Sequence, residues 1–119
     1  MEKVNLGQKF DLIEEYWDPK IVGELNGQMV KIAKIQGEFI WHLHEDAEEF
    51  FYLFQGSMSI RLRDKDVALG EGEFFIVPRG VEHKPVAEEE AWIVMFEPAG
   101  TLNTGNVESE LTRKGLEFL

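Results

Sequence analysis

Three histidines and one glutamate provide the residues of this sequence that are best suited to chemistry. The 119-residue chain has only three histidines, and each lies close to turn residues in a segment rich in strand formers. His42 and His44 are two residues apart, so on a strand both imidazoles point to the same face. Glu49 follows a predicted turn at 45–47 and starts the next strand. Two imidazoles and one carboxylate form a typical ligand set for a divalent transition metal.

A third imidazole is expected to complete this set. After a predicted strand at 73–77, a Pro/Gly turn at 78–80 leads to His83 at the beginning of another strand. Glu48 is an alternative to Glu49, but a one-residue shift would turn its side chain out of the barrel. The candidate ligands are His42, His44, Glu49 and His83. They suit iron, manganese, nickel, copper or zinc, and the sequence does not choose among these ions.

The segments that must position these side chains are short and strand-like. From Met29 to Glu97 the sequence is rich in Val, Ile, Phe, Tyr and Trp and is interrupted by turn residues, which indicates an antiparallel barrel or sandwich. The predicted strands are 29–36, 38–44, 49–55, 57–63, 66–69, 73–77, 81–86 and 91–97. Apolar and polar residues alternate in Ser57–Arg63, so one face of that strand is predicted to be buried.

Helices are expected only near the two ends of the chain. Asn5 can cap a helix that reaches Tyr16, and its apolar stripe would be formed by Leu6, Phe10, Ile13 and Trp17. A short closing helix could begin at Asn106 and continue to about Lys114. We predict one domain, in which residues 1–28 form a helix and a lead-in strand, 29–98 the barrel, and 99–119 a tail.

Strand parity predicts an apolar outer patch on the barrel. Its members would be Phe39, Trp41, Leu43, Phe50, Tyr52 and Phe54. Monomers rarely expose so large a patch, so either the first helix or a second subunit should cover it. We expect both, and therefore a homodimer.

Composition limits the partners and the chemistry. The formal charge of −11 repels phosphate backbones and anionic lipid, so nucleic acid and membranes are not expected partners. The absence of cysteine excludes a thiolate nucleophile and thiolate metal ligands. The start of the chain lacks the features of a secretion signal, and we expect a cytoplasmic protein.

Two motifs in this sequence resemble those of the cupin superfamily. The first resemblance lies in Gly37, His42, His44, Glu49 and Gly56, and the second in Gly72, Pro78, Gly80 and His83. The similarity spans about Gly37 to Ala87 and points to a small single-domain cupin. Gly37 is one residue closer to His42 than in the family pattern, and Ala87 replaces the usual Asn. Neither position holds a metal ligand.

The resemblance implies a double-stranded β-helix, a jelly-roll-like barrel, with a metal at one end of an internal pocket. Cupins catalyse many reactions, so the family does not fix the activity. The first hypothesis is a metal-dependent oxygenase, isomerase or lyase acting on a small molecule. Because all three histidines serve as ligands, a separate acid–base group is not evident. The alternative is a non-catalytic module that binds or senses a small ligand, with an orienting or structural metal.

Overall fold

Seven β-strands and one short helix form the fold in the computed structural model, which describes residues 2–119. Only Met1 of the predicted amino-terminal region lies outside the described residues. In chain order the elements are α1 (Leu6–Phe10), β1 (Lys20–Leu25), β2 (Gln28–Glu38), β3 (Glu49–Gln55), β4 (Met58–Leu62), β5 (Asp66–Leu69), β6 (Phe74–Val77) and β7 (His83–Pro98). The predicted all-β fold class is confirmed.

The two longest strands, β2 and β7, connect the two layers of the barrel. They pair antiparallel from Gln28 opposite Pro98 to Glu38 opposite Val86. The second half of β7 also pairs with β3, which pairs with β6. The first half of β7 pairs with β4, which pairs with β5, while β1 adds to β2. The strands thus form one continuous antiparallel sheet that folds around a core, as in a jelly roll.

Apolar side chains from both layers fill that core. Ile35, Leu53 and Ile60 come from three different strands and are each fully buried. Met58 is also buried, so the alternation predicted for Ser57–Arg63 is confirmed in β4. Burial of this apolar surface is the main favourable contribution to folding.

Two of the predicted strand assignments are wrong. Residues 38–44 do not form a strand: β2 ends at Glu38, and His42 makes only an isolated bridge to His83. The predicted strands 81–86 and 91–97 are a single strand, β7. The predicted break between them contains the exposed residues Glu88–Glu90, which form a bulge, because the register shifts where β2 passes from Ile35 to Gly37.

The amino-terminal helix is shorter than predicted. Asn5 is the cap, and its side-chain oxygen accepts a hydrogen bond from the Gln8 amide at 2.9 Å. The helix ends at Phe10 and does not reach Tyr16, because the chain then turns and runs beside β2. There the amide of Trp17 donates to the Lys34 carbonyl at 2.9 Å.

The predicted closing helix is also wrong. Residues 106–114 form turns and irregular backbone. Asn106 does not cap a helix, because its amide and side chain bond to Leu43 on the barrel instead. The described chain, residues 2–119, contains no helix with the length and apolar character that crossing a membrane requires.

The aromatic residues of β3 that face outward are only partly covered by the helix. The ring of Phe10 stacks on Phe54 with 5.2 Å between centroids, and Tyr52 packs against the same cluster. Phe50 is further from the helix and lies against Phe74, whose side chain is 57% exposed. The helix therefore covers one part of the predicted patch and leaves another part open.

Candidate metal centre

All four predicted ligands lie around one point inside the barrel. One ligand atom from each of His42, His44, Glu49 and His83 lies within 4.8 Å of the others. Two ligands on opposite sides of one ion are about 4.2 Å apart, since each lies about 2.1 Å from it. The site therefore needs little contraction to hold an ion. The four side chains are buried, and none is more than 7% exposed.

Long-range backbone hydrogen bonds position the histidines. His42 and His83 form a two-bond bridge, with N···O distances of 3.1 and 2.9 Å. The carbonyl of His44 accepts from the amide of Gly80, in the turn before His83, at 2.9 Å. The imidazoles of His42 and His44 thus converge although their segment is not the predicted strand. Glu49 begins β3, as predicted, opposite Val77 of β6.

Backbone carbonyls fix the orientation of two imidazole rings. His42 Nδ1 lies 2.9 Å from the carbonyl oxygen of Ile40, and His83 Nδ1 lies 2.9 Å from that of Val81. In the neutral ring, a proton on Nδ1 leaves the Nε2 lone pair free. A hydrogen bond from Nδ1 to a backbone carbonyl is usual for histidines that bind metals through Nε2.

The electrostatics of the site favour the ligating forms of two residues. Burial, with a smaller contribution from His83, lowers the pKa of His42 to about 4. Burial alone would raise the pKa of Glu49, but contacts with His44 and His83 lower it well below its usual range. Burial alone would lower the pKa of His44, but the contact with Glu49 has the larger effect, and the pKa of His44 is raised. The proton on His44 is thus the one with which a metal would compete.

The unpaired polar atoms fit a metal ion. Within residues 2–119, none of His42 Nε2, His44 Nε2, Glu49 Oε2 and His83 Nε2 makes a hydrogen bond of acceptable geometry. His44 Nε2 and Glu49 Oε2 are in contact, and His83 Nε2 lies 3.8 Å from the same oxygen. Buried polar atoms without partners are costly. A divalent ion would satisfy all four atoms at once.

Aromatic and aliphatic side chains surround a cavity next to the site. His42 and Glu49 line it together with Phe51 and with Trp17, whose indole stacks on Phe39 at 4.8 Å. Its enclosed volume is about 30 Å³, and about 460 Å³ of free space is present when the open mouth is included. The interior alone is small, so a molecule larger than about two waters has to extend into the open mouth.

The sequence predicted that Phe39 belongs to the outer patch, and this prediction is wrong. Phe39 is only 9% exposed, lines the cavity, and meets the ring of His42 edge to face at 5.3 Å. The prediction assumed strand alternation, which does not apply to the irregular backbone of this segment. Trp41 does lie near the outside, where the guanidinium of Arg63 stacks over it at 3.8 Å.

A buried ion pair lines the same cavity and was missed from the sequence. Lys31 Nζ lies 2.8 Å from Glu97 Oε1, and the two side chains are 4% and 3% exposed. Burial raises the pKa of Glu97, Glu49 adds to this effect, and Lys31 opposes it. The signal was present in strand parity: Lys31 has the inward parity of Ala33 on β2, and Glu97 that of Met95 on β7.

A carboxyl-terminal stretch that we call the closing segment, residues 99–106, contacts the backbone between the predicted ligands His42 and His44. Asn106 makes two hydrogen bonds to Leu43: its amide donates to the carbonyl at 3.1 Å, and its side-chain oxygen accepts from the amide at 2.9 Å. Gly105 lies so close to Leu43 that a Cβ would be 2.1 Å from the carbonyl oxygen. The sequence pattern around Asn106 suggested a helix cap and did not reveal these contacts.

Comparison with known sequences identifies one family. The family model described as Cupin domain matches residues 28–97, more than half of the chain. The chain is 33% identical over 64 residues to the uncharacterised protein YdbB of Bacillus subtilis, covering 53% of this chain. It is 29% identical over 102 residues to 3-hydroxyanthranilate 3,4-dioxygenase of Xenopus tropicalis, covering 79% of this chain. The chain spans 57% of the length of the first relative and 36% of the second.

Two solved structures that are at least 30% identical to this chain share its fold. A cupin-2 domain protein from Shewanella frigidimarina superposes with a TM-score of 0.79 at 41% identity, covering 80% of this chain and 93% of that one. Protein NMB1881 from Neisseria meningitidis gives a TM-score of 0.76 at 30% identity, covering 82% of this chain and 100% of that one. The chain therefore shares its overall fold with these proteins.

Proposed function

This chain belongs to the cupin family, and from that premise we propose that it is a metal-dependent enzyme acting on a small molecule. The proposed ligands of one divalent transition-metal ion are His42, His44, Glu49 and His83. The observation that carries the proposal is the set of four buried ligand atoms, all within 4.8 Å of one another and without other hydrogen-bond partners in the described chain. Such a set leaves coordination positions for a substrate.

In the proposed enzyme, the ion and the residues around it would have different roles. The ion would supply a Lewis acid or, if it is iron, copper or nickel, a redox centre for oxygen chemistry. The carbonyls of Ile40 and Val81 hold two imidazoles with Nε2 toward the ion. Phe39 and Phe51 line the cavity beside it with apolar surface, and surroundings of low polarity strengthen electrostatic interactions there.

Oxygenase chemistry is the reaction class that we propose first. Several relatives carry the name 3-hydroxyanthranilate 3,4-dioxygenase, with 26–40% identity over the matched parts. A cavity whose walls are mainly apolar also suits this class. An isomerase or lyase is the second candidate, because Glu97 lines the cavity and could transfer a proton.

We expect about one transition-metal ion per chain in protein purified without an affinity tag or chelator. Glu49→Ala should reduce this content to less than about a tenth, because it removes the only carboxylate of the proposed ligand set. Glu48→Ala is the matched control, since Glu48 is the exposed neighbour and should leave the content unchanged. Elemental mass spectrometry measures all three proteins. Equal metal content in the two variants would contradict the assignment of Glu49.

An oxygen electrode distinguishes the reaction classes. The iron-loaded protein is supplied with 3-hydroxyanthranilate and with catechol, and the proposal expects dioxygen uptake that requires both metal and organic substrate. A protein that binds metal without oxygen uptake would contradict the oxygenase class. A protein that binds these compounds and returns them unchanged would instead support a ligand-binding module.

We also propose a homodimer formed through the open part of the outer sheet. Phe74 and Ile76 on β6 are 57% and 43% exposed, and the half-buried Phe50 and Phe96 continue the same face across β3 and β7. A contiguous apolar face of this kind marks a protein interface more often than free surface.

Sedimentation should give twice the 13.7 kDa mass of the chain for the wild-type protein. The double substitution Phe74→Glu/Ile76→Lys should give the monomer mass, because charges would be buried in the interface. Phe118→Glu is the control, since Phe118 is equally exposed, at 59%, but lies outside this face. A wild-type protein that sediments as a monomer at high concentration would rule out the dimer.

A further inference from the structure

The Lys31–Glu97 pair is a polar feature in a cavity whose walls are otherwise mainly apolar. Trp17, Phe39 and Phe51 form aromatic walls, and Ile93 and Met95 add aliphatic surface. The pair lies in the same cavity as the metal ligands His42 and Glu49. Lys31 comes from β2 and Glu97 from β7, so two long, hydrogen-bonded strands hold the pair in place.

Lys31 and Glu97 differ in how far their polar atoms are hydrogen-bonded. Lys31 Nζ donates to Glu97 Oε1 at 2.8 Å and to the carbonyl of Thr101 at 3.3 Å. Glu97 Oε2 is buried, and no group within residues 2–119 donates to it. The carboxylate is therefore anchored through one oxygen, and its other oxygen is left without a donor in the described chain.

Structural stability does not explain this arrangement well. A buried ion pair is often no more stabilising than apolar side chains of similar volume, because both charges lose their hydration. A buried acceptor without a donor adds a further cost. Buried titratable groups in a cleft beside other ionisable residues are more common at functional sites.

Building on the proposed function, we propose that Glu97 Oε2 accepts a hydrogen bond from a hydroxyl or amino group of the substrate, and that Lys31 is the residue that positions this carboxylate. The substrate class is then a small, flat, mostly apolar molecule that carries such a donor at a distance from its metal-binding group. The aromatic walls fit a flat ring, and the single free acceptor selects for the donor. A site that hydrogen-bonds a substrate hydroxyl discriminates strongly against the analogue that lacks it.

Three pairs of small aromatic probes test this inference on zinc-loaded protein, which is redox-inert. Each pair compares a hydroxyl group with a methyl group on phenol: catechol with 2-methylphenol, resorcinol with 3-methylphenol, and hydroquinone with 4-methylphenol. Calorimetry gives the hydroxyl preference as a ratio of dissociation constants. The same ratios are then measured for Lys31→Met/Glu97→Met, which removes both charges and leaves no unpaired partner. Comparing the ratios between proteins cancels any chelation of zinc by catechol.

In at least one pair, we expect the hydroxyl preference to fall by about tenfold in the double variant, as for the loss of one buried hydrogen bond. Zinc content should stay at the wild-type value, since neither residue is a proposed ligand. Lys114→Met/Glu108→Met is the matched control, because this pair is 70% and 79% exposed, and it should retain the preference.

Two results would overturn the inference. One is a hydroxyl preference that is the same in the wild type and the double variant for all three pairs. The other is zinc-loaded wild-type protein that binds none of the six probes. If the double variant does not fold, Glu97→Gln is measured instead. The glutamine side chain can keep its oxygen toward Lys31 and places an NH₂ group, which is a hydrogen-bond donor, where Oε2 was. Failure of the metal proposal itself would appear separately, as an absence of zinc from the wild-type protein.

Discussion

We expect Gly105→Ala to lower the free energy of unfolding by about 3 kcal/mol and to weaken metal binding at the same time. The new Cβ would lie 2.1 Å from the Leu43 carbonyl oxygen and 3.3 Å from Cδ2 of His42. The first contact is with backbone, so the closing segment must move away. Its movement would break the two hydrogen bonds between Asn106 and Leu43, which lies between two proposed ligands.

Gly115→Ala is the control that measures the effect of backbone strain without a steric clash. Gly105 and Gly115 have similar positive φ angles, 57° and 62°, but a Cβ on Gly115 would meet nothing within 4 Å. Gly115→Ala should therefore cost only the left-handed backbone penalty of about 1 kcal/mol and leave metal affinity unchanged. Urea unfolding and zinc competition with a chromogenic chelator measure the two quantities. Equal losses in both variants would show that the closing segment does not support the metal centre.

Removal of the metal should lower the melting temperature by about 15 °C without abolishing the fold. An ion present at about a thousand times its dissociation constant stabilises the native state by about 4 kcal/mol. For a domain of this size, each kcal/mol corresponds to about 4 °C. The metal-free protein should remain folded, because the main core cluster consists of apolar residues such as Ile35, Leu53 and Ile60.

Circular dichroism melts with zinc and with excess chelator measure this difference. Glu49→Gln should melt at one temperature under both conditions, whereas Glu48→Gln should show the wild-type difference. Loss of the strand signal in chelator at room temperature would instead mean that the metal is mainly structural. An unchanged melting temperature in the wild type would argue against a metal centre at these residues.

The sequence predicted the parts of the fold and site that depend on local patterns. The alternation of apolar residues identified the buried face of β4, and turn residues correctly placed Glu49 and His83 at the starts of strands. Local patterns also misled where tertiary contacts decide the backbone. The sequence predicted a break between strands 81–86 and 91–97, but pairing on both sides of Glu88–Glu90 carries β7 through them as a bulge.

The remaining features depend on contacts between residues that are distant in the chain. The His42–Leu43–His44 segment is held by His83, Gly80 and Asn106, which no local pattern reveals. The buried Lys31–Glu97 pair was predictable in part, because each residue occupies an inward position of a strand. Its pairing required the register of β2 against β7, in which Lys31 lies opposite Met95 and Met29 opposite Glu97.

Trp17 and the closing segment form part of the cavity wall, and this affects how the cavity can change during evolution. Residues 28–97 match the family, and both Trp17 and Asn103, which line the cavity, lie outside that range. The barrel thus supplies the proposed metal ligands, while the flanking sequences supply part of the wall. Recombination or drift in the flanks can therefore reshape the cavity without altering a ligand. Homologues with the same four ligands need not inherit the same ligand preference.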